Sequence, residues 1–188
     1  MYRVALFVGL VLAVAVASVA AEPFHANIAG ACTNKDDFSF TGAPLFNGET
    51  GAVRISCALT GTSTHGRFTA TLLSEAQVTT TPCTQPDGGS GIETPLQGEL
   101  VVLTFNARND QLFLRLTSGT QCQSLATGLG VAHTTTEVIG GTGRFAGATG
   151  TIDGDNTTLL LGVSALGPSG FFTNYTGTLQ GSISLNEK

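Results

Sequence analysis

The feature that most limits how this chain can fold is the period of its apolar residues. Over residues 99–106, Val101, Leu103 and Phe105 alternate with Leu100, Val102 and Thr104. After a polar break at Asn109-Asp110 the alternation resumes, with Leu112, Leu114 and Leu116 on one side and Phe113 and Arg115 on the other. Side chains repeating every second residue share one face of a strand, whereas an amphipathic helix needs spacings of three and four. Two such runs joined by a short polar turn predict a β-hairpin.

The same rhythm recurs along the chain, bounded by Gly, Pro, Asn or Asp. Strands are expected at residues 38–40, 53–59 (Val53, Ile55, Cys57 and Leu59 on one face), 67–80, 133–139, 144–152, 157–163 and 171–185, with a loop over 82–91. Beyond the N-terminal leader no stretch shows helical spacing. Composition agrees, because 25 glycines and abundant threonine disfavour helix. About eight short strands with no helices between them imply antiparallel neighbours, hence a barrel or a sandwich. The expected fold is an all-β, closed antiparallel barrel of about eight strands, since closure removes exposed edges. Gly147, Gly150, Gly162, Gly177 and Gly181 within strand-like runs suit its tight bends. No internal repeat suggests a solenoid or propeller.

Residues 1–21 form the expected signal peptide: Arg3 precedes an apolar stretch over residues 4–17, and Val19-Ala20-Ala21 supplies small residues for cleavage. Residues 22–188 are then one domain, destined for a secreted, periplasmic or extracellular compartment. Ala29-Gly30-Ala31-Cys32 is a poor lipoprotein box, because the apolar run stops well before the cysteine. The four cysteines all lie in the exported part and read as two disulfides with three connectivities. Cys32–Cys57 and Cys83–Cys122 are the expected pairs, because Cys83 and Cys122 both flank the same central strands in Thr/Gln/Gly-rich segments. No spacing of cysteines or of His25, His65 and His133 suggests a metal site, so none is expected. The formal charge of −5 becomes −6 once Arg3 is lost, which leaves no basic stripe for nucleic acid and no attraction to anionic membranes.

One segment is more specific. In Glu137-Val138-Ile139-Gly140-Gly141-Thr142-Gly143-Arg144-Phe145, Gly140, Gly141 and Gly143 permit positive φ in a turn and Phe145 is an apolar anchor behind it. A phosphate-binding loop is disfavoured, because no helix and no Gly-Lys-Ser/Thr follows. The turn resembles the Gly-Gly-Thr/Ser-Gly-x-Phe turn of the allene oxide cyclase and dirigent-like barrel superfamily, where it lies late in an eight-stranded antiparallel barrel. The resemblance implies that fold for residues 22–188, a shaped apolar cavity with one or two polar groups, and assembly into homo-oligomers. It places no catalytic residue, because the turn carries none of the chemistry.

Candidate site residues therefore come from strand parity. Glu99 shares a face with Val101, Leu103 and Phe105, and Glu137 stands next to the turn; these are the candidate catalytic carboxylates. Arg115 and Tyr175 are the candidate ligand-binding residues, and Arg115 could instead pair with Glu137 across strands. No serine lies in a nucleophile elbow. Asn156-Thr157-Thr158 and Asn174-Tyr175-Thr176 match the glycosylation triplet, a pattern frequent in Thr-rich chains. The leading expectation is an exported barrel that binds a small apolar molecule, without assigned catalysis or cofactor. The alternatives are an isomerase or cyclase using Glu99 or Glu137, and a structural or adhesive extracellular module. A cavity above about 300 Å³ would favour the first two. An interior filled by Phe68, Phe105, Phe145 and Leu112, Leu114 and Leu116 would favour the third.

Overall fold

The computed structural model describes residues 21–36, 51–163 and 170–186. The leader expected at 1–21 (all but its last residue) and the strand expected at 38–40 lie outside the described residues. Nine strands follow one another: β1 (Ala21–Asp36), β2 (Gly51–Ser63), β3 (Gly66–Val78), β4 (Pro82–Thr84), β5 (Ser90–Phe105), β6 (Asp110–Gln123), β7 (Leu129–Gly141), β8 (Thr149–Val163) and β9 (Gly170–Ser184). All pair antiparallel with their neighbours. β9 returns alongside β1, and β3 pairs with β5, so eight long strands close into an up-and-down barrel while β4 adds a short ninth strand outside β5. The hydrogen-bonded circuit rules out two separate stacked sheets.

Several boundaries differ from the sequence reading for identifiable reasons. β1 is absent from the strands expected above, because its inward residues Phe24, Ala26, Ile28 and Gly30 include small ones that contrast weakly with the outward His25, Asn27 and Ala29. Residues 82–91 hold strand β4 as well as a turn. The strand expected at 144–152 begins only at Thr149, because Gly143–Phe145 forms a 3-10 turn. It then runs without a break into the strand expected at 157–163. The intervening Asp153-Gly154-Asp155-Asn156 has the composition of a turn, yet it pairs on both sides with β7 and β9.

Parity fills the interior in two unlike halves. At one end Phe24, Phe68, Phe105 and Phe145 are at most 1% exposed and pack with Leu103, Leu112, Leu114, Ile152 and Ile183. The Phe105 ring lies 5.6 Å from that of Phe68 and 4.7 Å from that of Phe145. Phe68 also covers Gly61, where an added Cβ would sit 2.4 Å from the ring. The glycine turn closes this end. Gly143 has φ +58°, and a Cβ there would fall on the Asp110 carboxylate. Thr142 and Gln111 exchange bonds, with the Gln111 amide donating to Thr142 Oγ1 at 2.9 Å and the Thr142 amide to the Gln111 carbonyl at 2.8 Å. Phe145 thereby plugs the barrel. Arg144 lies over the Phe105 and Phe145 rings at 4.8 and 4.6 Å, and its Nη2 donates to the His65 carbonyl at 2.7 Å.

Two disulfides brace the wall. Cys32–Cys57 joins directly paired residues of β1 and β2 on their inward face. Cys83–Cys122 ties β4 to β6 across β5, passing so close to Gly91 that a Cβ there would lie 2.9 Å from Cys122 Sγ. Among the described residues no helix is long and apolar enough to cross a membrane.

Candidate functional site

The unlike half of the interior is polar. A chamber of about 60 Å³ lies beyond the Cys32–Cys57 bridge, lined by Ser74, Glu99, Thr134, Asn156, Thr173 and Tyr175 among others. Its residue types follow from where each strand's inward parity runs out of aliphatic side chains: Leu72 gives way to Ser74 on β3, Val101 to Glu99 on β5, and Ile152 through Gly154 to Asn156 on β8. A space of this size holds a few water molecules.

Two bulges set the chamber's position in the wall. The β3–β5 register slips between Glu75 and Ala76, so that Leu96 faces inward before the slip and Glu99 after it. The β6–β7 register slips between Leu116 and Ser118. Between the two, the β5–β6 ladder is interrupted: pairing stops at Pro95–Thr120 and resumes only at Leu100–Arg115. Outside this gap lies a hollow of about 720 Å³ that includes Leu73, Leu100 and Leu116. Leu73 and Leu100 are cross-strand partners, 53% and 43% exposed. Ile55, Ser74 and Glu99 line both the chamber and the hollow, so Glu99 stands in the barrel wall between inside and outside.

Burial raises the Glu99 carboxyl from 4.5 to about 7, with a hydrogen bond from its cross-strand neighbour Ser74 acting the other way. The Tyr175 hydroxyl is raised as well, by burial first and then by the Glu99 charge, so it stays protonated as a donor. Among the described residues, Asn156 Oδ1 and Thr173 Oγ1 are buried with no hydrogen-bond partner, whereas Ser74 Oγ has the Glu99 carboxyl as its one neighbour for a hydrogen bond. Buried polar atoms are nearly always satisfied, so two orphaned oxygens on residues around one small chamber leave hydrogen-bonding capacity for an occupant, water included. A carboxyl near neutrality beside a phenol can accept or deliver a proton, or hold a cation.

The candidate residues divide into three groups. Glu99 and Tyr175 meet at the chamber. Glu137 and Arg115 form an ion pair on the outer wall, with Arg115 Nε donating to Glu137 Oε1 at 2.6 Å and Nη2 to the same oxygen. Arg115 also borders the hollow. Gly140, Gly141, Gly143 and Phe145 build the packed end. His65, also there, is shifted down by burial, opposed by Glu22 and reinforced by Arg144, and stacks on Phe24 at 5.8 Å. Ser74, Asn156 and Thr173 were not singled out from the sequence; the parity of β8, once seen as continuous, would have placed Asn156 inside. That burial also removes Asn156 as a glycosylation acceptor in the folded barrel, whereas Asn174 is exposed. Among the described residues no cluster of His, Cys, Asp and Glu could hold a metal ion. Comparison with protein-family models, curated proteins and solved structures gives no match.

Proposed function

We propose that this is an exported β-barrel that binds a small amphipathic molecule at the gap in its wall, with a polar head in the Glu99 chamber and an apolar body along the outer hollow. The observation that carries the reading is the double position of Glu99, shared by an inner chamber with orphaned polar atoms and an outer hollow floored by Leu73 and Leu100. The hollow is an open depression of about 720 Å³ with apolar side chains on its floor, whereas the chamber of about 60 Å³ is too small for a whole ligand. The binding place is therefore the side of the barrel and not its centre. Two disulfides fit an oxidising compartment outside the cytosol. Kinship with the allene oxide cyclase and dirigent-like barrels rests on the turn over residues 140–145 and on the eight-stranded closure, and assembly into homo-oligomers rests on that kinship.

A second reading is catalytic. A carboxyl raised to about 7 beside a pocket is poised for general acid–base work of the isomerase or cyclase kind, with Glu99 moving the proton and Tyr175 donating a hydrogen bond. The third, a solid structural module, draws on the fully packed aromatic end. Native mass spectrometry of the protein purified from its own host separates binding from the solid module. A co-purifying small molecule, lost when Leu73→Asp and Leu100→Asp are introduced together, is the expected result. A clean ligand-free mass for the wild-type protein would overturn the binding reading.

A further inference from the structure

The proposed binding site has a lining that selects among head groups. We infer that the chamber takes a cationic amine: an alkylammonium whose N–H groups face Glu99 and the hydroxyls of Ser74 and Thr173, and whose chain lies over Leu73 and Leu100. This rests on the reading of the gap as a ligand site and adds the ligand's chemical class.

Charge and hydrogen-bonding capacity carry the inference together. Among the described residues no lysine, arginine or histidine lines the chamber, and its titratable groups are Glu99 from β5 and Tyr175 from β9. Tyr175 stays neutral, so the one formal charge these lining residues can carry is negative. The chamber's orphaned atoms are Asn156 Oδ1 and Thr173 Oγ1, each on a residue more than nine-tenths buried, and Ser74 Oγ stands beside the Glu99 carboxyl. Asn156 Oδ1 only accepts, and the two hydroxyl oxygens can accept as well as donate. An ammonium brings three donors and a positive charge, which the Glu99 carboxylate, Asn156 Oδ1 and the hydroxyl oxygens can receive. A carboxylate or phosphate head would bring a second negative charge against Glu99 in a poorly solvated space. The cations nearby lie outside and have partners of their own. Arg115 bonds to Glu137, and Arg54 stands 3.9 Å from Glu75 on the rim of the hollow.

Protonation of Glu99 then competes with ligand. Bound amine favours the ionised carboxylate, so affinity should rise with pH through neutrality while the amine itself stays charged.

The test compares octylamine, 1-octanol and octanoate, which share a chain and differ in head, by isothermal titration calorimetry on the oxidised full chain. At about pH 8 octylamine is expected to bind at least about tenfold more tightly than either of the others, a difference of about 1.4 kcal/mol. Its affinity should fall about tenfold per pH unit below neutrality, with no such trend for octanol. Glu99→Gln should bring octylamine to the level of octanol. The pH profile of the wild-type chain probes the same charge independently of that variant. Octanol or octanoate binding as tightly as octylamine at pH 8 would overturn the amine head while leaving the gap a ligand site. Failure of all three to bind would overturn the ligand site itself.

Discussion

Replacing Glu99 by Gln should make the protein more stable, by an amount that grows from about pH 4.5 and levels off above about pH 7. The carboxyl titrates near 4.5 when the chain is unfolded and near 7 in the barrel, because burial penalises its charged form. Between those values the native state holds the proton more tightly than the unfolded state does. The contribution of this group is therefore complete below about 4.5 and is lost as pH rises through 7. The gap corresponds to about 3 kcal/mol at about 1.4 kcal/mol per pH unit. Solvent in the outer hollow screens part of the penalty, which brings the expected value to about 2–3 kcal/mol. Glutamine is isosteric and uncharged at every pH, so it behaves as a permanently protonated glutamate. Urea unfolding at pH 4 should then give wild type and Glu99→Gln within about 0.5 kcal/mol of each other. At pH 8 the variant should lead by about 2–3 kcal/mol, or about 4–12 °C in Tm for a domain of this size. Comparing the two proteins at each pH cancels every other titrating group, including His65, whose lowered value weakens the fold in the opposite direction as pH falls. A variant no more stable than wild type at pH 8, or an advantage of the same size at pH 4, would refute the placement of Glu99 in a poorly solvated wall position.

Other substitutions probe the frame around the site. Phe145→Ala should cost about 3–5 kcal/mol in urea unfolding, because it empties the plug of the packed end, and a loss below about 1 kcal/mol would contradict the plug. Gly61→Ala drives a methyl into the Phe68 ring and should cost about 1–3 kcal/mol, whereas Gly98→Ala meets nothing within 4 Å and should be nearly neutral; equal effects would count against the inward packing of β2. Removing the Cys83–Cys122 bridge as a double serine variant should lower stability by up to about 4 kcal/mol, the loop-entropy value for a separation of 39 residues. An unchanged denaturation midpoint would mean that β4 is not held to β6 in solution.

Size and filling decide between the functional expectations more than fold does. A barrel of eight strands is just wide enough for its own side chains, and here four phenylalanines occupy one half of the interior. The remaining half ends in polar residues and a break in the wall instead of an apolar cavity. An apolar ligand lodged at the barrel axis, as the resemblance to allene oxide cyclase and dirigent-like barrels implies, would need Phe24, Phe68, Phe105 and Phe145 to move.

Alternation by itself determined the class of this protein. Val101, Leu103 and Phe105 against Leu112 and Leu114 specify a hairpin with one buried face, because a strand's side chains can alternate only between two sides. Repeating that unit without helices leaves antiparallel closure as the simplest way to bury it. The even number of cysteines, and the face that Glu99 shares with Val101, Leu103 and Phe105, could be read in the same local way. What the chain could not announce locally was decided by pairing. Asp153-Gly154-Asp155-Asn156 has turn composition but lies mid-strand, because β7 and β9 satisfy its backbone from both sides. Bulges at Gln97 and Thr117 each reverse which residues point inward, and only the registers of β3 and β7 show where they fall. The chamber exists because those two slips meet at the same height of the barrel. Ser74, Asn156 and Thr173, distant in sequence, become neighbours of Glu99 only when the sheet has curled round on itself.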